Sequence, residues 1–188
     1  MVNKKIITIF LLITIILSAG TFFYWKNQQK ELLDINSSLP EGIKAIKTIF
    51  GNYKIINKID DYSFETPKIW EGIEYVEYVP EETRESYIIS SINLEGTTLD
   101  CRLIAINRFK TDNPNLELKG WATTAFNDFG LSSDFQNYKV GDIDAVITRE
   151  NPDLVNMDVY FFKKGLIIYS VMGGSKDFIE EIILNGEW

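Results

Sequence analysis

Leu99-Asp-Cys-Arg-Leu-Ile-Ala-Ile-Asn-Arg-Phe109 is the stretch on which the fold turns. Its middle, Leu103 to Ile106, is apolar at every position rather than at alternate ones, so neither face of a strand built from it suits water. The run predicts a central strand covered by helices. Immediately before it, Tyr87 to Leu94 reads as a second strand, and the intervening Glu95-Gly96 supplies the glycine that a hairpin turn favours. Immediately after it, Asn113-Pro114 predicts a helix start, because proline is tolerated at a first helical position. Leu118, Trp121, Ala122, Ala125, Phe126 and Phe129 then recur at helical spacing up to Gly130. An aromatic stripe of that kind is a core face far more often than a cofactor box.

Working outward, the pattern alternates between short strands and helices. Tyr62, Phe64 and Thr66 alternate with polar residues as in an edge strand, which Pro67 stops. Ile73 to Val79 forms a further strand, followed by the acidic turn Pro80-Glu81-Glu82-Thr83. Downstream, strands are expected at Tyr138 to Val140 and Ile143 to Arg149. A hairpin then joins Met157 to Phe162 with Leu166 to Met172 through Lys163-Lys164-Gly165. Ser175 is placed to cap a last helix that buries Phe178, Ile179, Ile182 and Ile183 and stops at Gly186. Nearer the start, Ser38-Leu39-Pro40-Glu41 has the spacing of a capping box, and Leu39, Ile43, Ile46 and Phe50 recur at helical spacing before Gly51. That segment predicts an amphipathic helix of about three turns, packed on the domain rather than lying on a membrane. Strand runs separated by helices and joined by hairpins give an α+β fold, an antiparallel sheet flanked by helices. The expected division is residues 1–30 as an anchor with its flanks, 31–61 as a tether plus amphipathic helix, and 62–188 as the globular domain.

Several of these segments carry a resemblance. Tyr62-Ser-Phe-Glu-Thr-Pro-Lys-Ile-Trp70 resembles the opening Y-x-F-x-x-P-x-x-W of PsbP-like domains. Lys139-Val-Gly-Asp-Ile-Asp-Ala145 is similar to the segment before that family's final hairpin. Phe161-Phe-Lys-Lys-Gly-Leu-Ile-Ile-Tyr169 resembles the hairpin itself, and Phe178 to Leu184 its closing helix. The resemblance spans residues 60–188. It implies an α/β/α sandwich in a family of oxygen-evolving-complex extrinsic subunits, bacterial envelope lipoproteins and a Ran-binding transport factor. Most of them act by binding or assembling partners. Metal ligation in the plant members uses His among other residues; this chain has no His, so the resemblance carries no site residue across.

The compartment is read from the other end of the chain. Ile6 to Trp25 (IITIFLLITIILSAGTFFYW) contains no charge and is long enough to cross a bilayer, which takes about 20 apolar residues. Phe22, Phe23, Tyr24 and Trp25 gather where rings prefer the headgroup level. Lys4 and Lys5 precede the run, and Lys26 and Lys30 behind it are soon met by Glu31 and Asp34, so the positive-inside rule puts the N-terminus in the cytoplasm. The expectation is a single-pass signal anchor with the C-terminal domain outside. A cleavable signal with Ser18-Ala19-Gly20 at its cut site is the rival reading. Lipidation at a lipobox is excluded, because Thr21 stands where the Cys would be. A prepilin reading fails too, since Trp25 stands where the Glu after the processed Gly would be.

Composition narrows the chemistry. Beyond Lys30 the chain carries 15 Lys and Arg against 27 Asp and Glu, a net charge of −12. That disfavours nucleic acid, whose phosphates reward clustered cations, and stable docking on an anionic leaflet. Cys101 is the only cysteine, so no internal disulfide forms, and its place in a strand-like run makes it core filler. Without His, Ser-His-Asp and Cys-His machinery and His-containing zinc sites are absent. Neither catalytic residues nor a cofactor are expected. The readings weighed against this are Asp142 and Asp144, with Asp134 nearby, as oxygen ligands for calcium or as the paired carboxylates of a surface hydrolase. The spacing of an EF-hand is missing. Gly173-Gly174-Ser175 before the last helix lacks the Lys and glycine spacing of a P-loop, and reads as a strand-to-helix turn. The function expected is a binding or assembly module whose partner is an envelope protein or a small ligand.

Overall fold

In the computed structural model the described residues are 20, 22, 26, 30, 32–48, 51–66, 73–80, 88–96, 103–128, 134–149 and 158–188. The chain divides into two units, Met1–Ser38 and Leu39–Trp188. In the first, residues 32–38 are helical (α1). The Ser37 and Ser38 hydroxyls donate to the carbonyls of Asp34 and Ile35, both at 2.7 Å, which closes the helix end. The run Ile6 to Trp25 lies almost wholly outside the described residues. Among the described residues no helix is long and apolar enough to cross a membrane.

Among the described residues, the second unit contains ten strands in two antiparallel sheets. Three form a small sheet of order β1-β2-β3: β1 (Ile43–Lys47), β2 (Tyr53–Asn57) and β3 (Tyr62–Glu65). The others are β4 (Ile73–Pro80), β5 (Ile88–Gly96), β6 (Leu103–Lys110), β7 (Asp134–Val140), β8 (Ile143–Arg149), β9 (Val159–Lys164) and β10 (Ile167–Met172). They form a large sheet of order β4-β5-β6-β10-β9-β8-β7. Helix α2 (Leu118–Asp128) links β6 to β7, and α3 (Lys176–Asn185) follows β10. The fold is therefore α+β with antiparallel sheets, as the alternation of patterns predicts.

Side-chain alternation assigns the two faces of the large sheet. On one, α2 lays Ala122 and Phe126 against Phe109, Phe135, Val146, Val159, Phe161 and Ile168. Phe161 is the hub: Trp121, Phe126 and Phe135 meet it edge-on with ring centres 5.7–5.8 Å away. Edge-to-face contact sets the positive rim of one ring on the negative face of the next, which adds to the apolar area buried. The opposite face carries Ile104, Ile106, Arg108, Tyr160, Phe162 and Tyr169 and receives both α3 and the small sheet. Ile179, Ile182 and Ile183 pin α3 there and are fully buried. β6 is an inner strand buried at six consecutive positions, Ile104 to Phe109, as expected of a central strand, but Leu103 is exposed and the cover is not helical on both faces. Phe109 meets Trp121 of α2, whereas Arg108 meets Asp60 beside the small sheet.

Gly173, just after β10, has a φ of +113°, and a Cβ there would overlap the carbonyl oxygen of Leu103. Glycine is thus demanded twice, by backbone conformation and by contact.

The structure corrects the expectation for the N-terminal part of this unit. Residues 43–47 are a strand, not an amphipathic helix, and alternate buried and exposed from Ile43 through Ala45. Ser38 caps no helix start, since its hydroxyl is spent on Ile35. Gly51 N–H donates to Thr48 O at 3.0 Å and Thr48 N–H to Asn52 O at 2.7 Å, with Gly51 at a φ of +93°. The small sheet thus occupies much of the span expected to be tether and helix. Helix α2 also starts later than expected. Asn113-Pro114 forms a turn, with Asn113 Oδ1 accepting from Asn115 N–H at 2.9 Å. Glu117 is the capping residue, its carboxylate accepting from Gly120 N–H at 2.6 Å. Ser175 precedes α3 as expected but makes no side-chain cap bond, Phe178 is only half-buried, and Gly186 ends the helix in an extended conformation. Phe129, Gly130 and Cys101 lie outside the described residues.

Candidate functional site at the junction of the two sheets

The turn between β2 and β3 brings a carboxylate to the large sheet. Asn57 shapes it: its Oδ1 accepts from the N–H groups of Ile59 and Asp60, both at 3.0 Å, and its Nδ2 donates to Asp60 Oδ2 at 2.8 Å. This is an Asx-type turn, and the following Asp61 takes the left-handed conformation that Asp tolerates. The other Asp60 oxygen makes a direct ion pair with Arg108 Nη1 on β6. The two side chains are only 11% and 10% exposed. Arg108 also donates to Ser90 Oγ on β5 at 3.1 Å, and its guanidinium sits 5.9 Å from the ring centres of both Tyr62 and Tyr169. Its Nε has no acceptor among the described residues.

Three phenols surround this pair, and each is held protonated. Burial pushes Tyr62 well above the ordinary tyrosine range, with the Asp60 charge adding to it. Burial likewise raises Tyr169, outweighing the pull of Arg108, and raises Tyr78, where Asp60 again adds. An uncharged phenol beside a neutralised ion pair is neither a base nor a nucleophile at neutral pH. The cluster therefore offers cohesion between sheets rather than a reacting group.

Tyr62 and Tyr169 are shared with a second feature, an aromatic slot filled by Trp188. The indole stacks on Tyr62 at 5.6 Å and on Phe64 at 6.2 Å. Phe162 meets it edge-on at 5.0 Å, and Tyr169 lies tilted at 5.1 Å. Its Nε1 donates to Ile183 O at 2.9 Å. The residue before it acts as a one-residue strand. Ser63 and Glu187 exchange N–H to carbonyl hydrogen bonds at 2.9 and 2.7 Å, an antiparallel bridge on β3. Ser63 Oγ donates to Glu187 Oε2 at 2.6 Å and Lys54 Nζ lies 3.1 Å from that oxygen. These two partners, Ser63 first, hold the Glu187 carboxyl below its ordinary range.

A third polar group lies by α3. Glu180 accepts from the hydroxyls of Tyr138 at 2.9 Å and Tyr160 at 3.2 Å, with Lys176 3.7 Å away. Burial, with Glu180 adding, pushes the Tyr160 phenol far up.

Of the carboxylates weighed from the sequence, Asp134 is not brought to the other two. Asp144 pairs with Lys139 at 3.1 Å on the exposed β7–β8 hairpin, and Asp142 is in its turn. Asp134 is at the far end, opposite Arg149, five residues before the one that faces Asp144. At about 3.4 Å per residue that is roughly 17 Å of strand, too far for one ion. Among the described residues no group of three or more acidic, His or Cys side chains is placed to hold a metal. Gly173-Gly174-Ser175 forms the β10–α3 turn, and Ser175 O accepts from the N–H groups of Phe178 and Ile179 at 3.1 and 3.2 Å. Glu81 and Glu82 of the acidic turn lie outside the described residues, as do Pro67 and Trp70 of the opening motif.

Sequence reasoning missed Asp60, Arg108 and Trp188. The one local signal was Arg108 itself, a cation two residues beyond the apolar run Leu103 to Ile106, which needs a partner if the strand is buried. No protein-family model, curated protein or solved structure matches this chain.

Proposed function

We propose that this chain is a binding or assembly module, held to the membrane by residues 6–25 with the Leu39–Trp188 unit outside the cytoplasm. The reading includes a PsbP-like kinship for the layered domain, with α2 on one face of the large sheet and α3 plus the small sheet on the other. The observation that carries it is the sequence of a charge-free run of bilayer length, flanked by lysines, ahead of a folded unit that begins at Leu39. The state of the buried polar groups favours binding over catalysis. Arg108 and Asp60 neutralise each other, and the phenols around them are held protonated. The partner is an envelope protein or a small ligand. A surface hydrolase built on Asp142 and Asp144 gains nothing from a hairpin on which Asp144 is already paired with Lys139.

Two experiments on intact cells test this reading. Added protease is expected to degrade a C-terminally tagged chain from outside, and photo-crosslinkers on the exposed surface of the domain are expected to trap a discrete partner. Full protection of the tag would reverse the orientation. Crosslinking that traps nothing above background would remove the binding role.

A further inference from the structure

Resting on that reading, we propose that the slot lined by Tyr62, Phe64, Phe162 and Tyr169 is a recognition site for an extended peptide segment carrying an acidic residue followed by Trp, and that Trp188 keeps it closed in cis. The occupied site already displays every element of strand-addition recognition. The edge of β3 offers Ser63 N–H and C=O, and Glu187 takes both. The Lys54 ammonium and the Ser63 hydroxyl at the rim select a carboxylate at that position. One residue on, the slot takes an indole between stacked and edge-on rings, with Ile183 O to receive its N–H.

The tail is built to leave without taking the fold with it. Trp188 is half-buried, and the Glu187 side chain is 75% exposed at its ion pair with Lys54. Helix α3 is held separately by Ile179, Ile182 and Ile183, each fully buried. Gly186 is the pivot: a Cβ there would run into the Trp188 ring, so the closed position depends on that glycine. A segment tethered this closely acts at an effective concentration on the order of millimolar, which a free competitor must exceed. The intact chain should therefore bind such a peptide weakly, and a chain without the indole should bind it well.

The test uses the full chain in mild detergent and the peptide acetyl-Gly-Glu-(5-fluoro-Trp)-amide, followed by fluorine NMR. Trp188→Ala is expected to bind it saturably and at least about tenfold more tightly than the unaltered chain, given the tether's advantage. The same peptide with Ala in place of the fluorinated residue should not compete. Glu187→Lys, which loosens the tail and leaves the aromatic slot intact, should fall between the two. A folded Trp188→Ala chain that binds no peptide, with Glu187→Lys equally inert, overturns the proposal and makes Trp188 core filler only. Loss of cooperative folding in Trp188→Ala, with no binding by Glu187→Lys, overturns it equally. If peptide binding fails while crosslinking in cells still traps a partner, the slot is refuted and the binding role survives.

Discussion

Asp60→Asn is the sharpest probe of how the two sheets are held together. The substitution keeps the shape of the side chain and an oxygen for Asn57 Nδ2, but removes the charge opposite Arg108. Both side chains are about nine-tenths shielded from water, so solvent cannot replace the lost partner. Breaking a buried pair from one side costs about 3–5 kcal/mol, because an unpaired charge remains. Here the guanidinium keeps Ser90 Oγ and the faces of two tyrosines, and such faces return about 0.5–1 kcal/mol each. The expected loss is therefore about 2–3 kcal/mol, or roughly 5–10 °C in melting temperature for a chain of this size. Arg108→Met should cost a similar amount, by leaving the carboxylate with Asn57 Nδ2 but without a cation. The double variant should be no less stable than either single one, since both charges then vanish together. Urea unfolding followed by tryptophan fluorescence reads all three, and the Asp60→Asn loss should persist in high salt. A loss below about 1 kcal/mol for Asp60→Asn, or a double variant whose loss is the sum of the two, would refute the buried-pair reasoning.

Three further outcomes follow from the same geometry. Gly173→Ala should be among the most damaging single substitutions, about 3 kcal/mol or more in urea unfolding, because it combines a disfavoured φ with overlap at Leu103; wild-type stability would contradict this. The lowered Glu187 carboxyl contributes stability that is present above its ordinary value of about 4.5 and is lost as pH falls through the lower folded value. Thermal melts of Ser63→Ala and Glu187→Gln should therefore show a flatter acid limb than the unaltered chain, and identical limbs would remove the latch. The raised tyrosines have the opposite sign: the stability they report is present below pH 10 and drains away as pH climbs toward their folded values. Tyrosinate absorbance from Tyr62 and Tyr169 should appear together with the loss of near-ultraviolet circular dichroism. Titration of all nine tyrosines near pH 10 in a chain that keeps its aromatic signal would show that they are not buried.

The legible parts of the fold were those whose burial follows local periodicity. Helix α2 displays its stripe in sequence, and β6 announces two covered faces by the unbroken apolar run Leu103 to Ile106. β1 misled because Leu39, Ile43, Ile46 and Phe50 satisfy helical spacing while Ile43 and Ala45 satisfy the period of two. Burial of those two on the small sheet decided the matter, as tertiary contact routinely overrides a weak local preference. The β-branched content of the run and the Gly51-Asn52 turn were the contrary signals. The junction between the sheets was illegible for a different reason. Asp60 and Arg108 are 48 positions apart, and Trp188 meets residues from β3, β9 and β10, so no window of sequence contains either constellation.

The strand order has a consequence for how the chain acquires its structure. Read in sequence, the large sheet is two meanders, β4 to β6 and β7 to β10, each built from neighbouring hairpins. They meet only where β10 lies against β6, which is also the seam that Gly173 closes on Leu103. Until residues 167–172 have emerged during synthesis, one edge of β6, a strand buried at six consecutive positions, has nothing to pair with. Local hairpins form in microseconds, whereas closing a seam across some sixty residues waits on a long loop. The half-made sheet thus carries an open, sticky margin for the longest part of its assembly, and rapid delivery of its last strands protects the nascent chain from aggregation.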